Sequence, residues 1–96
     1  MDEDTFQSIY AGSPVERIKR VGMVRNALIA AGNSKDKQFI PYIIPLMYDA
    51  EPLVRGHAAW ALLQVMKLGA LKQLYDLYAR EDDEEVRAEL EAITPK

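Results

Sequence analysis

The chain has 96 residues, 49% of them apolar, and a net charge of −3, which limits it to one compact domain with a modest core and excludes a disordered polyelectrolyte. It has no cysteine and a single histidine, His57, so disulfides, thiolate metal sites and cysteine-held clusters are excluded, and a metal at His57 would need several carboxylates. No apolar run approaches a membrane span, and the acidic start Met1-Asp2-Glu3-Asp4 is the opposite of a secretory or transit leader; the expected location is cytoplasmic, with no membrane contact.

Residues 1–12 read as a lead-in segment and 13–96 as one all-α domain, because apolar residues recur at helical spacing and never alternate for long. Ser13-Pro14-Val15-Glu16 combines a cap, a proline at the first helical position and a capping-box glutamate. The spacing predicts a helix to about Ala31, kinked or broken at Gly22 and stopped by Gly32-Asn33. A second helix is expected from Asp36 to Tyr48, with Ile40, Ile43, Ile44 and Met47 as its stripe and a bend at Pro45. Pro52 restarts the chain in a third helix, to about Lys67, whose Ala58-Ala59-Trp60-Ala61-Leu62-Leu63 run is apolar nearly all round and therefore belongs between neighbours; Gly69 is expected to end it. Leu71, Leu74, Tyr75 and Tyr78 then mark one face, with Lys72/Asp76 and Asp76/Arg80 as i, i+4 pairs on the other. Acid crowds Asp82-Asp83-Glu84-Glu85, a favourable helix start, and Val86, Leu90 and Ile93 form the last stripe.

The charge is polarised. Residues 13–37 hold six basic and two acidic side chains, while residues 76–91 hold eight acidic and two basic. A local cationic patch is therefore compatible with an acidic protein, and the acidic end should repel nucleic acid.

A Val-Arg pair recurs at Val24-Arg25, Val54-Arg55 and Val86-Arg87, 30 and 32 residues apart, with small or apolar residues four and seven positions after each valine. Such units cannot bury their own apolar faces and must stack. The pattern, clearest across Phe39–Met47 and Glu51–Leu62, resembles the HEAT repeat. The resemblance implies a short superhelix of about three helix pairs, in which the first of those stretches is an outer helix and the second an inner one. Arg25, Arg55 and Arg87 would then open successive inner helices along one edge of the concave face.

A narrower resemblance lies in Ala11-Gly12-Ser13-Pro14-Val15-Glu16-Arg17-Ile18-Lys19-Arg20, in Gly22-Met23-Val24-Arg25-Asn26-Ala27 through Gly32-Asn33-Ser34, and in Pro52-Leu53-Val54-Arg55-Gly56-His57-Ala58-Ala59-Trp60-Ala61-Leu62. These segments are similar to the part of epoxyqueuosine reductases that follows their iron–sulfur domain. That family implies a cobalamin, two four-iron clusters and a tRNA substrate for queuosine biosynthesis. The cobalamin and cluster domains, with their cysteines, are not in this sequence, so the activity does not carry over. The expectation is a HEAT-like domain that is not catalytic by itself and that helps hold tRNA beside the upstream catalytic domains of a parent protein. A protein–protein scaffold with a concave groove is the alternative.

The residues expected to touch tRNA are Arg17, Lys19, Arg20, Arg25, Asn26, Lys35, Lys37, Arg55 and His57. Arginine forks match phosphate oxygens, and such contacts are insensitive to sequence and sensitive to salt. Each has a plainer reading beside it. The Val-Arg arginines would pair with acid in the adjoining turn, with Asp49, Glu51 and Asp83 in reach. Arg17, Lys19, Arg20, Lys35 and Lys37 would be a solvated face, His57 a partly exposed surface residue, Trp60 core, and Tyr75 and Tyr78 packing residues.

Overall fold

The structure, a computed structural model, describes residues 14–94. The lead-in segment and the Ser13 cap lie outside the described residues. Within them are five α-helices and two 3-10 turns: α1 (Pro14–Ser34), a 3-10 turn (Lys37–Phe39), α2 (Ile40–Leu46), α3 (Pro52–Met66), a 3-10 turn (Lys67–Ala70), α4 (Leu71–Arg80) and α5 (Glu84–Ile93). The fold is an all-α helical repeat, with α2–α3 and α4–α5 as outer–inner pairs and α1 stacked ahead of them.

The helix ends differ from the sequence expectation in α1, α2 and α3, and in α1 and α3 a lysine does the work of a glycine. α1 runs unbroken through Gly22 and Gly32 to Ser34, and Lys35 closes it at φ 56°. Its N–H reaches the Gly32 carbonyl at 3.3 Å, and Ser34 Oγ donates to the Ala31 carbonyl at 2.7 Å. Likewise α3 ends at Lys67, at φ 54°, and Gly69 lies inside the following 3-10 turn. Pro45 falls in the last turn of α2, next to its final residue Leu46, and not in mid-helix. Lacking an N–H, it cannot extend the ladder, and the chain tightens into bonds from Met47 N to Ile44 O and from Tyr48 N to Pro45 O, both 3.0 Å. Asp36 caps the first 3-10 turn by accepting from Gln38 N at 3.0 Å, and Asp83 caps α5 by accepting from Val86 N at 3.0 Å.

The core sits on α3, which packs against α1, α2 and α5. Val54, Ala58, Ala59, Ala61 and Leu62 on this helix are fully buried. The alanines keep its surface low, so that neighbours close on it from several sides. Leu28, Ile43, Met47, Leu74, Leu77, Val86 and Leu90 meet it from the other helices. Each large side chain removed from water contributes about 2 kcal/mol. On α4 the buried face is centred on Leu74 and Leu77, and Tyr75 is exposed. Arg80 does not reach Asp76 but lies over the Tyr48 ring at 3.8 Å and donates to the Met47 carbonyl at 2.9 Å, tying α4 to the end of α2.

Candidate functional site

A ladder of arginines holds the turns of the stack: Arg20 and Arg55 reach the next helical layer, and Arg87 ties α5 to the turn before it. Arg20 on α1 forks onto Asp49, in the turn before α3, with bonds of 2.6 and 3.3 Å. Arg55, at the start of α3, donates to the carbonyls of Asp49 and Ala50 and forks onto Glu81, in the turn before α5, with two bonds of 2.7 Å. Arg87, at the start of α5, donates to the carbonyls of Tyr78 and Glu81 and lies over the Tyr78 ring at 4.1 Å. The acid that Arg55 takes is Glu81, not one of the turn residues Asp49, Glu51 or Asp83 that sequence put within reach. Tyr78 donates its phenol proton to Glu91 at 2.5 Å, which pushes its pKa up.

The ladder has a consequence for acid stability. Glu81 lies below its ordinary value of 4.5, because Arg55 bonds its carboxylate and the Asp83 N–H adds a donor, against the opposing effect of burial. For Asp49 burial pushes upward, but the Arg20 bonds, the Glu51 N–H and the nearby arginine charges together bring it below 3.8. Both folded pKa values are depressed, so the stability they confer is complete above the ordinary carboxylate range and is lost as pH falls through it towards the folded values. The melting temperature should therefore hold from neutral pH to about 5 and then fall. Glu81→Gln should flatten that acid limb; an unchanged limb would count against the pairing.

The structure sorts the sequence-selected residues into four places. Arg20 and Arg55 are in the ladder, with side chains 29% and 13% exposed. Arg17, Lys19, Arg25 and Asn26 lie along α1. Arg17 pairs with Glu51 at 3.0 Å while 72% exposed, and Lys19 reaches Glu16 at 3.7 Å. Lys35 and Lys37 are exposed just beyond the C-terminal end of α1, where the helix dipole favours cations. Arg25 departs from the repeat. Arg55 and Arg87 both donate to carbonyls of the turn before their own helix, and Arg55 also reaches Glu81 in the next turn; from α1 the reach to the next turn falls to Arg20. The hydrogen bond recorded for Arg25 is to the Asn26 side chain, at 3.4 Å. Arg25 and Arg17 instead line one cleft of 310 Å³ with Ile18, Val21, Gly22, Glu51 and Leu53.

His57 belongs elsewhere. A groove of 480 Å³ crosses the three inner helices, lined by Ile29 and Asn33 of α1, Gly56, His57 and Trp60 of α3, and Glu89, Ala92 and Ile93 of α5. Two helix-interior glycines shape it. A Cβ on Gly32 would lie 2.6 Å from Trp60 Cζ3 and 3.1 Å from the Ala61 Cα, so its absence seats the indole against α1. A Cβ on Gly56 would lie 2.5 Å from Glu89 Oε2, so its absence seats the carboxylate over α3. Each glycine costs its helix about 1 kcal/mol relative to alanine. The His57 Nδ1–H donates to the Leu53 carbonyl at 2.9 Å, which leaves Nε2 turned away from that bond. Trp60 is half-buried and lines the groove. These glycine seats were missed in the sequence, where Gly32 reads as a helix stop.

Among the described residues no group of three or more His, Asp or Glu side chains is arranged to hold a metal ion. With no cysteine anywhere in the chain, the iron–sulfur clusters implied by the resemblance find no thiolate ligands here. Among the described residues no helix is long and apolar enough to cross a membrane.

An uncharacterized protein from the gldA 3′ region of Geobacillus stearothermophilus is 40% identical over 67 residues, 69% of this chain and 31% of that protein. The epoxyqueuosine reductase of Bacillus subtilis is 35% identical over 68 residues, 70% of this chain and 18% of the reductase. That of Listeria monocytogenes is 37% identical over 70 residues, 72% of this chain and again 18% of the reductase. The matched region thus spans less than a third of these relatives' length. No solved structure matches. The family model for HEAT repeats matches residues 23–94, three quarters of the chain, and this chain belongs to the HEAT-repeat family.

Proposed function

We propose that this HEAT-repeat domain holds tRNA for an epoxyqueuosine reductase-like protein, through the cationic side of α1 and the turn after it, and leaves the chemistry to catalytic domains that carry the cobalamin and clusters. The observation that carries this reading is Arg25. Among the described residues it is the Val-Arg arginine that bonds no turn, and it shares a cleft with the exposed Arg17. Lys19, Asn26 and Asn33 are exposed at seven-residue intervals and so form one line along α1, roughly 20 Å long. Lys35 and Lys37 continue the positive charge beyond its end. The Lys19 ammonium suits a phosphate and the side-chain amides suit ribose or phosphate, while the Arg25 guanidinium stands about 100° round the helix from that line. Arg20 and Arg55 serve the fold in this reading, because a phosphate there would have to displace Asp49 or Glu81.

Fluorescence anisotropy with labelled tRNA tests the proposal. About four phosphate contacts predict an affinity that falls roughly 50- to 150-fold between about 50 and 200 mM salt. Arg25→Glu combined with Lys35→Glu and Lys37→Glu should abolish binding while the domain still folds cooperatively, with a modest fall in melting temperature because the reversed charges oppose the helix dipole. Absence of binding at low salt would remove tRNA holding from this chain. A second reading, an interaction scaffold, is favoured by the largely apolar groove of Ile29, Trp60 and Ile93.

A further inference from the structure

We propose that the groove across the inner helices is a docking site for a protein segment that presents an apolar side chain next to an arginine or lysine. The inference rests on the scaffold reading and shares with the tRNA line on α1 the residue Asn33. Its walls are Ile29, Trp60 and Ile93, and its volume of 480 Å³ is that of a site for a few side chains. The side chain that carries a formal charge in the lining is Glu89, and neither lysine nor arginine lines it. Among the described residues Glu89 has no hydrogen-bond or ion-pair partner, although every arginine of the ladder has at least one. The carboxylate is nevertheless placed: Gly56 has no Cβ, and the space where one would stand is taken by Glu89 Oε2.

The partner chemistry follows from charge and shape. An unpaired carboxylate beside an indole in an apolar trough favours a guanidinium or ammonium, which bonds the carboxylate and lies on the aromatic face. The apolar neighbour in the same segment fills the Ile29–Ile93 side. Asn33 and the His57 ring lie on the lining and are placed to bond the segment's backbone. An RNA backbone is the wrong occupant, since Glu89 repels phosphate and no cation lines the groove to offset it.

The protein's single tryptophan is the reporter. The full chain is titrated with the acetylated hexapeptides Gly-Ser-Leu-Arg-Ser-Gly and Gly-Ser-Arg-Leu-Ser-Gly while Trp60 fluorescence and its indole N–H resonance are followed. At least one should give a saturable change, and replacing its arginine with glutamine should weaken binding roughly tenfold, as the loss of a charge-assisted bond requires. Glu89→Gln should erase that preference. Gly56→Ala should do the same, because its methyl group displaces the flexible end of Glu89 and meets no backbone there. Glu89→Gln should melt like the parent and Gly56→Ala at the same temperature or higher, and both should bind tRNA with unchanged affinity. No saturable change with either peptide, an equal response when glutamate replaces the arginine, or a Trp60 signal moved by tRNA and not by peptide would each overturn the assignment. Loss of tRNA binding in the Arg25 variant above is read separately and does not bear on the groove.

Discussion

Arg55→Ala is expected to destabilise the fold by about 3 kcal/mol, the loss that follows when one partner of a buried ion pair is removed. Glu81, whose side chain is 1% exposed, would keep its charge with the Asp83 N–H as its recorded remaining donor. The carbonyls of Asp49 and Ala50 would lose a donor at the same time. For a domain whose whole stability is on the order of 5–15 kcal/mol, such a loss is large. Urea unfolding should show a lower midpoint with an unchanged slope. Arg17→Ala is the internal control. Its pair with Glu51 has a similar length, 3.0 Å, but the arginine is 72% exposed, and the expected cost is under about 1 kcal/mol. If the two variants unfold alike, the ladder does not hold the repeats together.

Gly32→Val is expected to cost about 2–3 kcal/mol through overpacking. The Cβ alone would stand 2.6 Å from the Trp60 ring and 3.1 Å from the Ala61 backbone, and the two valine methyls come on top of that. The ring must move or α1 must lift from α3. Helix propensity offers valine little compensation. Trp60 fluorescence should shift with the loss of stability, because the same contact seats the indole. At Gly56 the neighbour is the tip of a flexible glutamate, so alanine there should be tolerated and can even gain helix stability. Equal effects at the two glycines would contradict the packing described.

What was legible in the sequence had a periodic cause. The Val-Arg spacing exists because an arginine at the start of an inner helix reaches the turn beside it, and Arg55 and Arg87 do so. The stripe Val86, Leu90 and Ile93 holds because α5 buries one face only. Other features depend on three-dimensional placement. Five acids in a row, Glu81 to Glu85, look alike in sequence. Glu81 turns inward because it stands at ψ 128°, just past the last residue of α4, facing Arg55. Leu77 was missed on α4 because Leu71, Leu74, Tyr75 and Tyr78 alone satisfy helical spacing, and only the angle at which α4 packs decides that Tyr75 faces water. Gly32-Asn33 has the composition of a helix stop, yet the indole of Trp60, which is 28 residues further on, needs the glycine inside the helix. At the candidate site the local positive charge was visible, but the division of labour among the arginines was not. Arg20 replaces Arg25 in the ladder because it, and not its repeat equivalent, meets Asp49.

The central claim is that the binding face for tRNA is the side of α1 that the ladder leaves exposed. The most direct measurement is a two-dimensional amide NMR map of the full chain titrated with tRNA at low salt. The account predicts perturbations concentrated at Arg17, Lys19, Arg25, Asn26, Lys35 and Lys37, with the Trp60 indole and the α5 amides unmoved. A map centred on Trp60 and Glu89, or no perturbation at all, would contradict it.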